Sequence, residues 1–359
     1  MKALPRNPVA KLAVLLVLGA SAMAWMAGGA AARAIPADLL QHKTDRWSVV
    51  PIPDPTPDQM TDVEPGPDGA VYMTNSTQGI YRVTLTEKRP SAVPYHFISL
   101  PGYYPTYLRA GRRGSLYAEL RTQDGKQFVG DLNWQTGALR LYSFNPSPQG
   151  DIFINTSMAL GPDDKLWLCE QKHIASIGPR GVIREYSIPK IARVFNNDAS
   201  VVLGPDRKIW FTLQGAVGIS PYLANIDPKT HTITAHALPS GSCDETAGLA
   251  VGGDGALYVA CSYFFGGEPL IARVTTRGAV SSIPYPNGFM WYVNSIVGGP
   301  DGNVYFSAAP HGALVVYDPI RKTFTLRQPP VGELRPVTVG PDGNIWGGVD
   351  TVGLEAYRL

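Results

Sequence analysis

The chain has 359 residues, of which 44% are hydrophobic and 17% are charged, and its formal net charge is +2. Four of its 31 basic residues and none of its 29 acidic residues lie in the first 34 positions, so the remainder carries a charge of −2. This balance excludes nucleic acid as an expected partner. The 38 glycines and 32 prolines favour many short strands joined by tight turns.

Residues 1–34 have the pattern of a secretory signal peptide. Three basic residues precede an uncharged run from Leu12 to Ala32, and the small residues Ala32 and Ala34 stand at the −3 and −1 positions of a cleavage site. We therefore predict cleavage after Ala34 and a periplasmic or secreted mature chain, residues 35–359, without a membrane span. The alternative is an uncleaved anchor, since the uncharged run is just long enough to cross a bilayer.

The first strand of the mature chain is predicted within Trp47–Pro53. Its sequence, WSVVPIP, is similar to strands that end internal repeats farther along, such as Ile183–Pro189. The last repeat lacks such a strand. We therefore expect the N-terminal strand to complete the last repeat, which closes the fold into a ring without unpaired edges.

A seven-residue phrase recurs in seven copies along the rest of the chain. Its clearest form is Gly340–Trp346 (GPDGNIW), and the other copies begin at Gly66, Gly111, Gly161, Gly204, Gly252 and Gly299. Pro favours the first corner of a type I turn, Asp caps its own backbone, and the second Gly takes the left-handed conformation of a tight hairpin. Each copy is therefore predicted to join two antiparallel strands.

The copies begin 41–50 residues apart, with no helical pattern between them. This period is typical of a β-propeller with about four strands per blade. Further hairpins, for example around Asp227–Thr230 and Asp318–Lys322, supply the two outer strands. The predicted fold is therefore all-β: a seven-bladed β-propeller that forms a single domain over residues 35–359.

The repeat geometry predicts where a functional site lies. Because the GPDG turns all lie on one face, the residues before the first strands and after the second strands emerge on the opposite face, where the central channel opens. We call this the open face. The ligand-binding candidates there are Tyr104, Tyr107, Asn155, Asp198, Glu245, Tyr292 and Asn294. Alternatively, the polar residues only cap turns, and the tyrosines form an ordinary solvent-facing β surface.

Titratable candidates follow the second strands on the same face. Glu170, His173 and His311 are candidates for acid–base catalysis, and Asp350 is a candidate metal ligand. A Mg²⁺ or Ca²⁺ site would need several converging oxygens, which Glu170, Asp350 and the polar ligand-binding candidates can offer, although the sequence fixes no cofactor. Both histidines are also consistent with ordinary loop residues. His231 and His236 fall on outer strands and are expected to be structural.

Three cysteines are present: Cys169, Cys243 and Cys261. Cys243 and Cys261 flank one predicted hairpin at the same end, so they can form a disulfide in an oxidising compartment. Three buried free thiols are the alternative. The cysteine and histidine spacings do not indicate a structural zinc site.

The repeat resembles that of the streptogramin B lyase (virginiamycin B lyase) family of seven-bladed propellers. The similarity rests on the phrase GPDG-x-(I/L/V)-(W/Y), followed by a loop and a strand such as Ile183–Ile188 that ends in Pro189. The resemblance implies an elimination that opens a cyclic depsipeptide at its ester bond, with glutamates holding Mg²⁺ and a histidine as general base. It places that histidine just ahead of the last inner strand, within Glu333–Val337.

This chain departs from the family pattern at that position. Counting back from Trp346 places Pro336 where the histidine is expected and Leu334 where a glutamate is expected. Proline cannot abstract a proton, and leucine cannot hold Mg²⁺. The family's glutamate after the aromatic strand is present only as Glu170, and Asp350 offers a carboxylate near the remaining metal-ligand position.

A second resemblance is to gluconolactonase-like and senescence-marker-like propellers, which hold a divalent ion in the channel. Asn294 matches one of their ligand positions. The positions that correspond to their aspartate are Ala199, Ala247 and Arg335. This resemblance ranks below the first.

The sequence leaves three functions open. The first is an exported propeller that binds a small polar, glycosidic or cyclic peptide ligand without catalysis. The second is an active, metal-dependent carbon–oxygen lyase or lactonase with a rebuilt site. The third is a scaffold that docks an envelope protein across the open face, which an exposed apolar patch far from the channel would favour.

Overall fold

The computed structural model describes residues 46–52, 60–75, 78–85, 95–111, 114–144, 157–170, 173–189, 199–214, 220–239, 243, 245–262, 270–286, 292–309, 312–349 and 353–359. Within these ranges the chain forms 28 strands and no α-helix. The strands make seven four-stranded antiparallel sheets, which are the blades of a propeller. The predicted all-β, seven-bladed fold is confirmed, whereas the boundary predicted after Ala34 lies outside the described residues.

The strands follow one another in the order of the repeats. The N-terminal strand is β1 (Trp47–Pro51). Blade 1 consists of β2 (Met60–Pro65), β3 (Val71–Asn75), β4 (Gly79–Val83) and β5 (Tyr95–Ser99). Blade 2 consists of β6 (Tyr104–Ala110), β7 (Ser115–Arg121), β8 (Gln127–Asn133) and β9 (Leu139–Tyr142). Blade 3 consists of β10 (Ala159–Leu160), β11 (Leu166–Glu170), β12 (His173–Ile177) and β13 (Ile183–Ser187). Blade 4 consists of β14 (Val201–Leu203), β15 (Ile209–Leu213), β16 (Tyr222–Ile226) and β17 (Ile233–Ala237). Blade 5 consists of β18 (Glu245–Val251), β19 (Leu257–Ser262), β20 (Leu270–Val274) and β21 (Val280–Pro284). Blade 6 consists of β22 (Tyr292–Gly298), β23 (Val304–Ala309), β24 (Ala313–Asp318) and β25 (Thr323–Arg327). Blade 7 contains β26 (Leu334–Val339), β27 (Ile345–Val349) and β28 (Gly353–Tyr357).

Blade 7 is completed by the N-terminal strand, as predicted. β1 pairs antiparallel with β28 over five residues, from Trp47 opposite Tyr357 to Pro51 opposite Gly353. The Arg358 N–H donates to the carbonyl of Arg46 at 2.8 Å, which extends the ladder. The two ends of the propeller are therefore joined by backbone hydrogen bonds, and β1 covers the edge that β28 would otherwise expose.

The two glycines of the GPDG phrase have different physical roles. A Cβ built on Gly340 would lie 2.2 Å from Cδ1 of Trp346, so the first glycine is needed because the aromatic ring packs on its backbone. Gly343 has a φ of 77°, so the second glycine supplies the left-handed turn residue that was predicted. Asp164 and Arg207 hold this second position in blades 3 and 4, with φ values of 65° and 64°.

The aspartate of the phrase binds both the turn and the aromatic residue. In blade 7, Asp342 Oδ1 accepts the N–H of Asn344 at 3.1 Å and the indole N–H of Trp346 at 2.9 Å. In blade 5, Asp254 Oδ2 accepts the hydroxyl of Tyr258 at 2.9 Å. The fixed spacing between the aspartate and the aromatic residue of the phrase therefore stabilises the turn. The face of the propeller that carries these turns has a structural role.

The core consists of apolar layers between neighbouring blades. One layer joins blades 2 and 3 and includes Val129, Leu168 and Ala175, and another joins blades 3 and 4 and includes Cys169 and Phe211. Successive residues of a strand point to opposite faces of the sheet, so each blade contributes to two layers. Burial of one large side chain in such a layer stabilises the fold by about 1.5–3 kcal/mol.

A side-chain hydrogen bond ties several blades to the next one. The acceptor is the side chain four positions before the first glycine of the phrase. The donor is a backbone N–H in the following blade, three positions before the first glycine of that blade's own phrase. The three cases are Asp62 with Leu108 at 2.7 Å, Ser157 with Val201 at 2.8 Å and Ser295 with Val337 at 3.2 Å. We call this contact the inter-blade tie.

The cysteines and the outer histidines have structural roles. Cys243 and Cys261 form a disulfide, which selects the first of the two cysteine alternatives, and Cys169 is a buried free thiol. His231 stacks on Tyr186 with ring centroids 4.6 Å apart, and His236 stacks on Trp210 at 5.8 Å. Both histidines therefore serve packing, as predicted, although only His236 lies on an outer strand, and His231 lies in the turn before it.

Candidate functional site

The ends of the first and second strands meet on the open face. In the ladders opposite the GPDG turns, Tyr104 faces Arg121, Glu245 faces Ser262 and Leu334 faces Val349. In each of these blades the ladder thus brings the start of the first strand beside the end of the second strand, at the end opposite the GPDG turn.

The described ligand-binding candidates differ in their surroundings. Tyr104 is half-buried, and its hydroxyl accepts a hydrogen bond from Nε2 of Gln78 at 3.1 Å. Tyr107 is half-buried and packs against the layer between blades 2 and 3, and Glu245 is half-buried at the start of β18. Tyr292 and Asn294 lie on β22, but their side chains are outside the described residues, as are Asn155, Asp198, His311 and Asp350.

Two of the catalytic candidates lie side by side in blade 3. Glu170 on β11 is paired with His173 on β12. The structure adds Glu185 from β13, and the ligand atoms of these three side chains all lie within 4.8 Å of one another. Burial and, secondly, the charge of Glu185 raise the pKa of Glu170 to about 8.

This cluster lies on β11, β12 and β13 and faces blade 2. Leu168 and Ala175, which belong to the layer between blades 2 and 3, share the sheet face of Glu170 and His173 because strand side chains alternate. Glu185 was not among the predicted site residues, because its place beside Glu170 depends on the pairing of β12 with β13. A glutamate on an outer strand carries no local signal of that pairing.

The corresponding part of blade 7 has a different chemistry. Leu334 is 1% exposed and belongs to an apolar cluster with Val349. A Cβ built on Gly347 would lie 2.6 Å from Cδ1 of Leu334, so the leucine side chain fills the space above this glycine. Pro336 lies where the ladder with β27 shifts register between Leu334 and Val337, a position that tolerates its missing N–H.

Pro336 also occupies the position of the inter-blade tie, where it offers no side-chain acceptor. An inter-blade tie from this position would accept the N–H of Val63 in blade 1. This N–H donates instead to Oδ1 of Asp62 at 3.0 Å. Asp62 thus accepts two backbone N–H groups, one in its own strand and one from Leu108 in blade 2. The proline is therefore accommodated by a carboxylate in the neighbouring blade.

A polar network that the sequence analysis did not single out surrounds Asp62. Arg109 forms an ion pair with Glu64 at 3.3 Å and donates from Nε to the carbonyl of Met158 at 2.6 Å. Burial, followed by the charge of Glu64, raises the pKa of Asp62 well above its ordinary value, and burial also raises the pKa of Glu64 while Arg109 opposes this rise. The alternation Asp62-Val63-Glu64 was the available signal, because it places both carboxyl groups on one face of an inner strand.

The network continues through threonines into blade 2. Thr74 Oγ1 donates to the carbonyl of Thr106 at 3.0 Å, and Thr106 Oγ1 donates to Oε2 of Glu119 at 2.7 Å. Glu119 is fully buried, and its Oε1 accepts from Nε of Arg121 at 3.3 Å. These bonds hold blades 1 and 2 together near Tyr104 and give this part of the open face a defined shape.

The large exposed apolar side chains of the described residues are scattered. Blades 1 to 6 each carry one, and one lies in the connection between blades 6 and 7: Phe97, Leu141, Val182, Leu203, Val280, Ile320 and Val331. Single exposed apolar residues are usual on protein surfaces. The described residues also contain no helix with the length and apolar character that a bilayer crossing requires.

Structural comparison places this fold among known propellers. A catalytically inactive variant of virginiamycin B lyase from Staphylococcus aureus with quinupristin is 19% identical, with a TM-score of 0.69, over 87% of this chain and 99% of that chain. The selenomethionine form of that enzyme is 18% identical, with a TM-score of 0.67, over 87% and 98%. The extracellular domain of a one component system from B. thetaiotaomicron is 12% identical, with a TM-score of 0.60, over 88% and 40%. At these identities the similarity shows the fold alone.

Sequence comparison gives the family. A search of curated proteins finds no match. The profile of the virginiamycin B lyase family matches residues 42–266, which is more than half of the chain. The chain therefore belongs to the virginiamycin B lyase family.

Proposed function

We propose that this protein is an exported propeller that binds a ligand at the open face and has no streptogramin lyase activity. The observation that carries the proposal is the composition of β26, where Leu334 is buried against Gly347 and Pro336 has no titratable group. The elimination that the family resemblance implies needs a metal ligand and a general base at these two positions. A fold of this family with an apolar residue and a proline there retains a binding face without that reaction.

Aromatic and acidic side chains on the open face support ligand binding. Tyr104 has its hydroxyl fixed by Gln78, so its ring is held in one orientation. Glu245 adds a carboxylate at the start of β18 in blade 5. A face that offers both an oriented ring and a carboxylate suits a small polar, glycosidic or cyclic peptide ligand, because one face of the ligand can stack while its polar groups bond.

The disulfide supports export. Bonds such as Cys243–Cys261 persist in oxidising compartments and are rare in the cytosol. Expression of the full chain in a bacterium, followed by fractionation and mass spectrometry of the purified protein, tests this part. We expect a periplasmic or secreted protein that begins at Ile35, and an intact N-terminus at Met1 would contradict the signal-peptide prediction.

Quinupristin provides a direct test of binding without turnover. The mature chain is incubated with quinupristin and Mg²⁺ and analysed by chromatography, because an eliminative ring opening leaves the mass unchanged. The S. aureus virginiamycin B lyase serves as the positive control. We expect calorimetric binding and no linear product, whereas turnover would refute the proposal and the lack of any binding would remove cyclic depsipeptides as ligands.

Substitution on the open face locates the binding site. Tyr104→Ala should weaken quinupristin binding by about tenfold or more, because it removes a stacking surface. His96→Ala is the matched control, since His96 is an exposed aromatic residue on the outermost strand of blade 1. Equal loss in both variants, or in neither, would contradict a site at the channel end of the strands.

The pairing of Glu170 with His173 favours one second candidate, a metal-dependent lyase or lactonase with a rebuilt site. In that case these two residues, rather than residues of β26, would carry the acid–base step. Assays with quinupristin and with simple lactones should then show activity that Glu170→Gln and His173→Gln abolish. Activity that survives both substitutions would remove this candidate.

A further inference from the structure

Three side chains of blade 3 gather on one face of the sheet. Glu170 and His173 are opposite each other on β11 and β12, and Glu185 on β13 is opposite Ala175, two residues from His173. Residues two apart on a strand point to the same face, so all three side chains project toward blade 2. Their potential ligand atoms, two carboxylate oxygens and one imidazole nitrogen, lie within 4.8 Å of one another.

The other six blades provide an internal comparison, because the strand registers define equivalent positions. Where blade 3 has Glu170, the others have Asn75, Leu120, Leu213, Cys261, Ala308 and Val349. Where blade 3 has His173, they have Gly79, Phe128, Tyr222, Leu270, Ala313 and Gly353. The repeat therefore does not need an ionisable residue at either position.

The third position gives the same result. Where blade 3 has Glu185, the other blades have Phe97, Leu141, Ala235, Ser282, Leu326 and Val49. Carboxylate and imidazole groups thus replace mostly apolar or small residues at all three positions of a single blade. The other six blades fold without ionisable residues at these positions, so the fold alone does not require the cluster. The three side chains of blade 3 therefore point to a role other than folding.

The cluster is largely shielded from water. Glu170 is 6% exposed, and His173 and Glu185 are half-buried. The same sheet face continues into an apolar layer with Leu168 and Ala175, where electrostatic attraction to a cation is weakly screened.

We propose that Glu170, His173 and Glu185 bind one divalent metal ion of the zinc class within blade 3. Imidazole nitrogen and carboxylate oxygen are both ligands of Zn²⁺, and three protein ligands leave a position for water. Mg²⁺ and Ca²⁺ prefer all-oxygen sets with higher coordination numbers, so these ions fit less well. The site is separate from β26, and its existence does not depend on ligand binding at the open face.

Metal titration of the complete mature chain tests the proposal. Untagged protein is treated with EDTA, dialysed and titrated with Zn²⁺ by calorimetry and with Co²⁺ by visible absorption. We expect one ion per chain with each metal and a Co²⁺ d–d spectrum of a four- or five-coordinate site. A wild-type chain without saturable uptake of either ion overturns the proposal, and this result needs no variant.

Variants assign the ligands. His173→Gln and Glu185→Gln should each weaken Zn²⁺ binding by about 100-fold or more, because loss of a ligand costs at least as much as loss of a residue that only orients one. His236→Gln and Glu333→Gln are matched controls, since His236 stacks on Trp210 and Glu333 pairs with Arg335. Circular dichroism and melting curves establish that each variant is folded. Wild-type affinity in both ligand variants, or equal loss in the controls, overturns the assignment.

Discussion

At the residue scale, the turn position after Asp206 carries an arginine in a conformation that favours glycine. Arg207 has a φ of 64° and is exposed, and it takes the place of Gly343 in blade 7, whose φ is 77°. A left-handed conformation costs a residue with a Cβ roughly 1–2 kcal/mol. The turn still closes, because Asp206 Oδ1 accepts the indole N–H of Trp210 at 2.8 Å.

Replacement of this arginine should therefore stabilise the protein. We expect Arg207→Gly to raise the free energy of unfolding by about 0.5–1 kcal/mol, the relief of strain less the added entropy of glycine in the unfolded chain. Denaturation by urea measures the change. Gly343→Ala is the reciprocal control and should lose stability, and a loss in Arg207→Gly would show that its side chain contributes more than its backbone costs.

Glu355 provides a second residue-scale prediction, through its pKa. Its side chain is fully buried on β28, Oε1 accepts the N–H of Val331 at 3.2 Å, and burial raises its pKa to about 7. The folded protein therefore keeps this proton above the pH at which the unfolded chain releases it. The resulting stabilisation is fully present below the ordinary glutamate pKa of about 4.3 and is lost as the pH rises through about 7, a change of up to about 3 kcal/mol.

The variant Glu355→Gln isolates this contribution. Its amide cannot ionise, so it should be similar to the wild type in stability at pH 4.5 and more stable by about 2 kcal/mol at pH 8. Urea denaturation at both pH values gives the comparison. Glu333→Gln, which changes a more exposed carboxylate, should not show this pH-dependent difference, and parallel behaviour of the two variants would contradict the assignment to Glu355.

At the scale of strands and blades, the inter-blade tie connects elements that no backbone ladder joins. Ser295 Oγ accepts the N–H of Val337 at 3.2 Å and donates to the carbonyl of the same residue at 3.3 Å. Val337 is 6% exposed, so water has little access to these groups. The serine thus satisfies both backbone polar groups of one residue within β26, the first strand of the next blade.

Loss of this tie should be costly for a single hydroxyl. We expect Ser295→Ala to lower the free energy of unfolding by about 1–2 kcal/mol, because buried N–H and C=O groups lose their partner. Ser281→Ala on the exposed outer strand β21 is the control and should change stability by less than about 0.5 kcal/mol. Equal effects in the two variants would mean that the contact between blades 6 and 7 does not depend on the tie.

The elements could be predicted from the sequence where their determinants are local. Proline, aspartate and glycine, which most copies of the phrase share, specify the turn within four residues, and the repeat then fixes the number of blades. The cluster around Glu170 could be predicted only in part, because Glu185 reaches it through the register of two outer strands. The network around Asp62 was missed for a similar reason, since its partners Leu108 and Arg109 belong to the next blade.

At the scale of the whole molecule, β1 closes the ring. Val50 and Ile52 are 1% and 2% exposed and belong to a cluster with Val63 of blade 1 and Leu354 of blade 7. The strand therefore contributes both a backbone ladder and apolar contacts on either side of the closure. β1 thus makes the contacts of an outermost blade strand, which is why the similarity of Trp47–Pro53 to the outer strands of the repeats predicted the position of β1.

Two truncated chains test the role of the closure. A chain of residues 46–359 should unfold cooperatively, whereas a chain of residues 53–359 exposes the edge of β28 and should lose cooperativity and form oligomers. Urea denaturation and light scattering distinguish the two. A monomeric 53–359 chain with the same unfolding midpoint would show that blade 7 is stable without its outermost strand.

The pairing of β1 with β28 also sets the order of events during synthesis. Trp47 leaves the ribosome early, yet its partner Tyr357 follows about 300 residues later. At about 5–20 residues per second, this interval lasts on the order of 15–60 s. During that time the ring cannot be completed, because β28 has not yet been made. Closure by β1 therefore follows the synthesis of all seven blades, although β1 itself is made first.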